Sequence, residues 1–156
     1  MSQYTALAGR IRACLIDIQG TVDRAVLLGD KALQTGDDGY WDGVALNLHG
    51  YYTGVEHIFE DISRTMDASL PTGSEWHLDL LLQVSSEIDG IRPAVISRAT
   101  RECLDEYRGF RHVVRNVYAF NLRPVRMKEL VDRLHLCFLA VYHDLDAFAG
   151  FLEKLE

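Results

Sequence analysis

The sequence predicts an all-α protein, an up-and-down helical bundle of four main helices plus one short helix, in a single domain over residues 1–156. Three observations carry this. Apolar residues recur at spacings of three and four almost throughout, the period of helices with one buried face. No segment alternates apolar and polar residues with β-branched enrichment, so no strand is needed. Turn signals built on Gly, Pro and Asp fall at only a few places, between the periodic segments. The length is enough for one full core, and 48% apolar with 25% charged residues suits an ordinary globular protein.

The first helix is marked by a stripe of Leu7, Ile11, Cys14, Ile18, Val22, Ala25 and Leu28, ending before the turn Gly36-Asp37-Asp38-Gly39. A second stripe runs through Trp41, Val44, Leu48, Tyr52, Val55, Phe59, Ile62 and Met66, and Pro71 and Gly73 break it. Thr72 or Ser74 is placed to cap a shorter third helix, with Glu75 three residues after Thr72 as in a capping box; that helix would bury Trp76, Leu80, Val84 and Ile88. Asp89-Gly90 and Pro93 form a link without helical period. The fourth helix is expected from near Ser97 to about Tyr118, with Cys103, Tyr107, Phe110, Val114 and Val117 inward. The fifth starts near Pro124, a residue favoured in a first helical turn, and continues through Leu130, Leu134, Cys137, Val141, Leu145, Phe148, Leu152 and Leu155.

Several chemistries have no sequence support. There is no Gly-x-Gly-x-x-Gly, no P-loop, no Cys-x-x-Cys and no His-Glu-x-x-His. No histidine has a glutamate three residues before it, and the one Asp132/His135 pair reads as a surface ion pair, so neither a metal nor a cofactor is expected. The three cysteines, Cys14, Cys103 and Cys137, are odd in number, distant in sequence and set in apolar-periodic segments; they read as buried thiols of a reducing compartment. With no export signal at the amino terminus and no apolar run of membrane-spanning length, a soluble cytoplasmic protein is expected, with no membrane contact.

Charge is distributed unevenly. From Tyr107 to Lys128 the chain carries five arginines, one lysine, one histidine and no carboxylate. The whole protein has a formal net charge of -7, so this window of +6 sits on a remainder of -13. A local basic patch on an acidic protein points to a positioned anionic ligand. On a helix, residues three and four apart share a face, which puts Arg108, Arg111, His112 and Arg115 on one strip, flanked by Asn116 and Tyr118. Like charges so spaced repel by roughly 0.2–0.5 kcal/mol each, and arginine's planar fork suits phosphate. The plainer reading is a solvated face whose carboxylate partners come from another helix or another subunit. Glu56 is placed to pair with an arginine of this strip or to lie solvated on the flank of its helix, with His57 beside it, and Arg123 and Arg126 to touch phosphate or to take a surface position at a helix start.

The stretch from Leu104 to Tyr118, with the core Arg111-His112-Val113-Val114-Arg115-Asn116-Val117-Tyr118, resembles the signature helix of HepT-like proteins of the HEPN superfamily. That signature has an arginine, four to six intervening residues and a histidine, often followed two residues later by a tyrosine. Gly73-Ser74-Glu75-Trp76-His77, Gly90-Ile91-Arg92-Pro93-Ala94 and Ala119-Phe120-Asn121-Leu122 also resemble the HepT-like domain, so the likeness covers most of the chain from the second helix onward.

The resemblance implies a helical HEPN homodimer in which two motif helices face each other across a cleft. It implies a metal-independent endoribonuclease, a toxin whose partner is an MNT-type nucleotidyltransferase antitoxin. Arg111 matches the arginine that binds and polarises the scissile phosphate, and Tyr118 matches the tyrosine that the partner adenylylates. The motif histidine falls on Asn116, which hydrogen-bonds phosphate or ribose but exchanges no proton near neutral pH. His112, one turn earlier, is then the expected proton-transfer group, with Arg108, Arg115 and Arg123 as RNA and phosphate contacts. The rival expectation is a catalytically silent HEPN module that binds a nucleotide or its nucleotidyltransferase partner; a third is an unrelated bundle whose arginine strip is a protein interface.

Overall fold

The computed structural model describes residues 1–116 and 122–155, without the side chains of 112–116. It contains five α-helices: α1 (Gln3–Thr35), α2 (Gly39–Ile62), α3 (Trp76–Val84), α4 (Arg98–Asn116) and α5 (Pro124–Glu153), with one π-helical turn, Ser63–Asp67, continuing α2. No strand occurs among the described residues; the one sheet-like contact is an isolated bridge between Ile88 and Arg92.

The helix ends follow local chemistry. Ser2 opens α1 by accepting the Thr5 N–H on its hydroxyl, and Gly36 closes it at φ 70°, returning its N–H to Ala32. Ser97 starts α4, its hydroxyl accepting the Thr100 N–H while its own N–H donates to Asp144 on α5. Pro124 takes the first position of α5, as expected.

The short third helix departs from expectation. Neither Thr72 nor Ser74 caps it, and Glu75 flanks it without a side-chain hydrogen bond. Gly73, at φ 104°, bends the chain between the proposed cap and the helix, so the capping-box spacing is lost. At its other end the Val84 carbonyl accepts from Val95 and Ile96, which diverts the backbone from helical pairing. Ile88 therefore lies in the link, exchanging two backbone hydrogen bonds with Arg92 around Gly90.

Residue pairs across the interfaces give the helix directions. A Cβ on Gly43 would meet Leu28, one on Gly50 Thr21 and one on Gly54 Ile18, so α1 and α2 run antiparallel. Gly29 against Val131 and Arg12 against Asp146 make α1 and α5 antiparallel as well. Cys103 against Cys137 and Tyr107 against Leu130 do the same for α4 and α5. The four long helices thus alternate in direction, the up-and-down arrangement, with α3 set against α2 and α4. At Gly43 a Cβ would come within 2.9 Å of the Leu28 side chain, so glycine there lets α1 and α2 approach closely.

The stripes read from the sequence form the core, with local shifts. Leu15 rather than Cys14 points fully inward on α1, and Leu104 joins Tyr107 and Phe110 on α4. Leu155 lies beyond the end of α5 and is exposed. Tyr51, Tyr107 and Phe138 meet edge to face at the centre, with ring centroids 5.4 Å and 6.5 Å from Tyr51. Both tyrosines hold a partner, Tyr51 donating to Cys137 Sγ at 3.3 Å and Tyr107 to the Leu130 carbonyl at 2.7 Å. Burial pushes both phenols above their ordinary range. The cysteines correct the expectation of separate buried thiols: Cys14 and Cys103 are only partly buried, and Cys103 Sγ stands 2.8 Å from Cys137 Sγ. No helix among the described residues is long and apolar enough to cross a membrane.

Candidate functional site

The site grows from one arginine of α4. Arg111 extends toward α2 and α3 and retains only 15% side-chain exposure, so it does not lie on a solvated strip. Beneath it is Glu56 of α2, whose side chain is 3% exposed. Between them is His77, in the first turn of α3, with its side chain 20% exposed.

His77 Nδ1 lies 2.7 Å from Glu56 Oε2. An ionised carboxylate only accepts hydrogen bonds, so Nδ1 carries the proton and donates it. Arg111 Nη1 is 3.0 Å from Nδ1 and 2.9 Å from Nε2 of the same ring. A nitrogen in the ring plane and equally near to both would collide with the carbon between them. Nη1 therefore approaches the face of the imidazole rather than its edge, within reach of both ring nitrogens. Trp76 also stacks on His77, with centroids 3.6 Å apart and planes tilted by 33°.

Glu56 Oε1 is 4.0 Å from Arg111 Nη1, at the outer limit of an ion pair. The expected pairing of Glu56 with an arginine of the basic segment is thus loose, and the carboxylate's short bond goes to His77. Arg111 Nε is buried and lacks an acceptor among the described residues. Tyr52, fully buried beside this group, has its phenol pushed up by burial first and then by the Glu56 charge. His57 is exposed and does not join the cluster.

The other arginines divide. Arg108 Nε donates to Asp105 at 2.7 Å, one turn earlier on α4. Arg126 reaches Glu106 at 3.3 Å and Glu129 at 3.4 Å, and Arg133 also bonds Glu106. Carboxylates just outside the basic window neutralise these residues, that of Arg108 coming from its own helix. Arg123 is exposed at the start of α5 and has no carboxylate partner among the described residues. Arg108, Arg123 and Arg126 share the lining of a cavity of about 440 Å³ with Phe110, Leu122 and Met127, between the end of α4 and the start of α5. The side chains of His112, Arg115 and Asn116, and the whole of Tyr118, lie outside the described residues. Among the described residues no three His, Cys, Asp or Glu side chains gather as metal ligands would.

His77 is the residue that motif reading passed over. Its signal was present in Gly73-Ser74-Glu75-Trp76-His77, which resembled the HepT-like domain without any role attached to its histidine. The basic motif pointed along α4, whereas the group beside Arg111 comes from α3.

The family profile described as HepT-like protein matches residues 43–152, from α2 to the end of α5. No curated protein and no solved structure is similar enough to match.

Proposed function

Because the chain belongs to the family of HepT-like proteins, we propose that it is the toxin of a HEPN-type toxin–antitoxin module, a metal-independent endoribonuclease neutralised by an MNT-type nucleotidyltransferase. The observation that carries this reading is Arg111. The arginine at the signature position is a largely buried cation whose Nε lacks an acceptor among the described residues and whose nearest carboxylate is engaged by His77. A guanidinium so held is ready for an oxyanion, and bidentate contact to phosphate is the geometry arginine provides. Charge stabilisation of this kind is a large part of phosphoryl transfer catalysis.

The proposed enzyme is a cytoplasmic homodimer. A shallow apolar groove of about 260 Å³ between α4 and α5, lined in part by Ala99, Cys103, Leu136 and Ala140, supports self-association. Leu136 is 70% exposed beside it, and Leu139 and Tyr142 follow at spacings of three. RNA would lie along Arg111, Arg115 and Arg123, and Tyr118 would accept the nucleotidyl group that silences the site. Purified wild type should cleave single-stranded RNA in the presence of a chelator, and Arg111→Ala should neither cleave nor bind it well. A wild type that binds RNA without cutting it would replace this reading with the second, a silent HEPN module for a nucleotide or the partner enzyme; Asn116 at the motif histidine's position favours that alternative.

A further inference from the structure

Cleavage of RNA through its 2′-oxygen needs a group that exchanges a proton, and the signature helix has asparagine where its histidine belongs. Arginine stays protonated in proteins and asparagine has no proton to exchange near neutral pH, so neither Arg111 nor Asn116 can do this work. An imidazole nevertheless stands against Arg111, supplied by another helix. We propose that His77 of α3 is the proton-transfer residue of this site, with Glu56 of α2 as its positioning residue; the proposal rests on the ribonuclease reading above.

Three features of the cluster support this. Glu56 fixes the tautomer: with Nδ1–H donated to the carboxylate at 2.7 Å, the basic lone pair belongs to Nε2. Arg111 Nη1 lies 2.9 Å from Nε2, which sets the basic nitrogen beside the cation that would hold the phosphate. The His77 side chain keeps 20% exposure, so the imidazole is not sealed from solvent. A carboxylate that orients an imidazole and stabilises it once protonated is the division of labour found in other acid–base sites. Trp76 packs on the ring and restrains it.

A purely structural tie is the competing account, because a buried glutamate needs a cationic or donor partner. The same fold shows how it builds such a tie. Arg92 meets Asp67 in plane through two nitrogens and places its remaining donors on backbone carbonyls. Glu56 has an arginine as neighbour but meets it only at 4.0 Å, with Arg111 Nε lacking any acceptor among the described residues. The carboxylate is directed to the imidazole instead. His57, His135 and His143 are exposed. His112, the imidazole the signature helix itself offers, has its side chain outside the described residues, and cleavage that survives in His77→Gln would return the role to it.

In the proposed reaction, Nε2 of His77 takes the proton of a ribose 2′-hydroxyl as its oxygen forms a bond to the adjacent phosphorus. Arg111 holds the phosphate's non-bridging oxygens. The bond from phosphorus to the 5′-oxygen breaks, that oxygen takes a proton from water, and the imidazolium returns its proton to the hydroxide so formed. The products are a 2′,3′-cyclic phosphate and a free 5′-hydroxyl, with no net gain or loss of protons.

The test uses the full chain and a labelled single-stranded RNA of mixed sequence, with wild type, His77→Gln and His77→Ala compared for binding and single-turnover cleavage. His77→Gln keeps a donor for Glu56 and cannot exchange a proton. It should bind RNA within about threefold of wild type and cleave ~10²–10⁴-fold more slowly. His77→Ala should be as slow and should recover when free imidazole is added, which a strut would not do. Cleavage by His77→Gln at the wild-type rate overturns the role of His77 and leaves the ribonuclease reading standing. Failure of imidazole to accelerate a folded His77→Ala also counts against it; should that variant not fold, His77→Gln alone decides. If wild type binds RNA but cuts nothing, both the ribonuclease reading and this role fall together.

Discussion

Arg92 and Asp67 form a two-pronged ion pair out of solvent, with Nε to Oδ1 at 2.7 Å and Nη2 to Oδ2 at 2.8 Å. Gln83 adds a bond to the same carboxylate, and the guanidinium also donates to the carbonyls of Ser86, Pro93 and Gln83. The pair ties the π turn after α2 to the end of α3 and to the link before α4. Removing one member strands the other charge in the interior, so Asp67→Ala should lose about 3–5 kcal/mol of folding stability. Urea denaturation of the purified variant measures this. A loss below about 1 kcal/mol would mean that the link tolerates loosening.

Arg108 and Arg123 line one cavity and should behave differently. Arg108 is already neutralised by Asp105, whereas Arg123 is exposed without a described carboxylate partner. Arg123→Ala should weaken RNA binding and lower the salt slope of the logarithmic affinity by about 1, as loss of one phosphate contact does. Arg108→Ala should change the slope little. Binding titrations at four salt concentrations separate the two, and equal slopes for both variants would place RNA elsewhere.

Tyr118 should be the residue that a partner nucleotidyltransferase modifies. Intact-mass measurement after co-expression should show AMP adducts in wild type that disappear in Tyr118→Phe. An adduct persisting unchanged in that variant would move the acceptor to another residue.

Oxidation should join Cys103 to Cys137. Their sulfurs are 2.8 Å apart. The bond from Cys137 lowers the pKa of the more exposed Cys103 thiol, while its neighbour and burial raise that of Cys137. Cys103 is therefore the thiolate that attacks hydrogen peroxide, giving a sulfenic acid and hydroxide, and Cys137 then displaces water to form the disulfide. Peptide mapping after mild peroxide treatment should find the 103–137 crosslink ahead of any involving Cys14. Stable sulfenic acid on Cys103 with no crosslink would show that α4 and α5 do not let the sulfurs close.

Much of the fold was legible in the sequence because long amphipathic helices repeat their signal over many turns. The stripes of α1, α2 and α5 each hold for six or more residues, and Gly36 and Pro124 mark ends that the structure keeps. The short α3 was read too long, since its capping pattern spans a glycine that breaks the geometry and its last predicted core residue, Ile88, is drawn into backbone pairing with Arg92. Arg111 could be picked out by its motif. Its neighbours could not, because Glu56 and His77 meet it through tertiary packing across 55 and 34 residues of chain, and no local period records such a meeting.

The buried Nε of Arg111, without an acceptor among the described residues, places function in opposition to stability. A cation kept from water without a full set of acceptors destabilises the empty protein, and a bound anion relieves it. Arg111→Met keeps much of the volume, removes the charge and leaves Glu56 with its bond to His77. That variant should melt higher than wild type by roughly 2–4 °C, the shift that about 1 kcal/mol produces in a chain of this length, while losing its affinity for RNA. Conversely, a bound polyanion should raise the melting temperature of wild type and leave that of Arg111→Met unmoved. A lower melting point in the variant would mean that this arginine supports the fold after all.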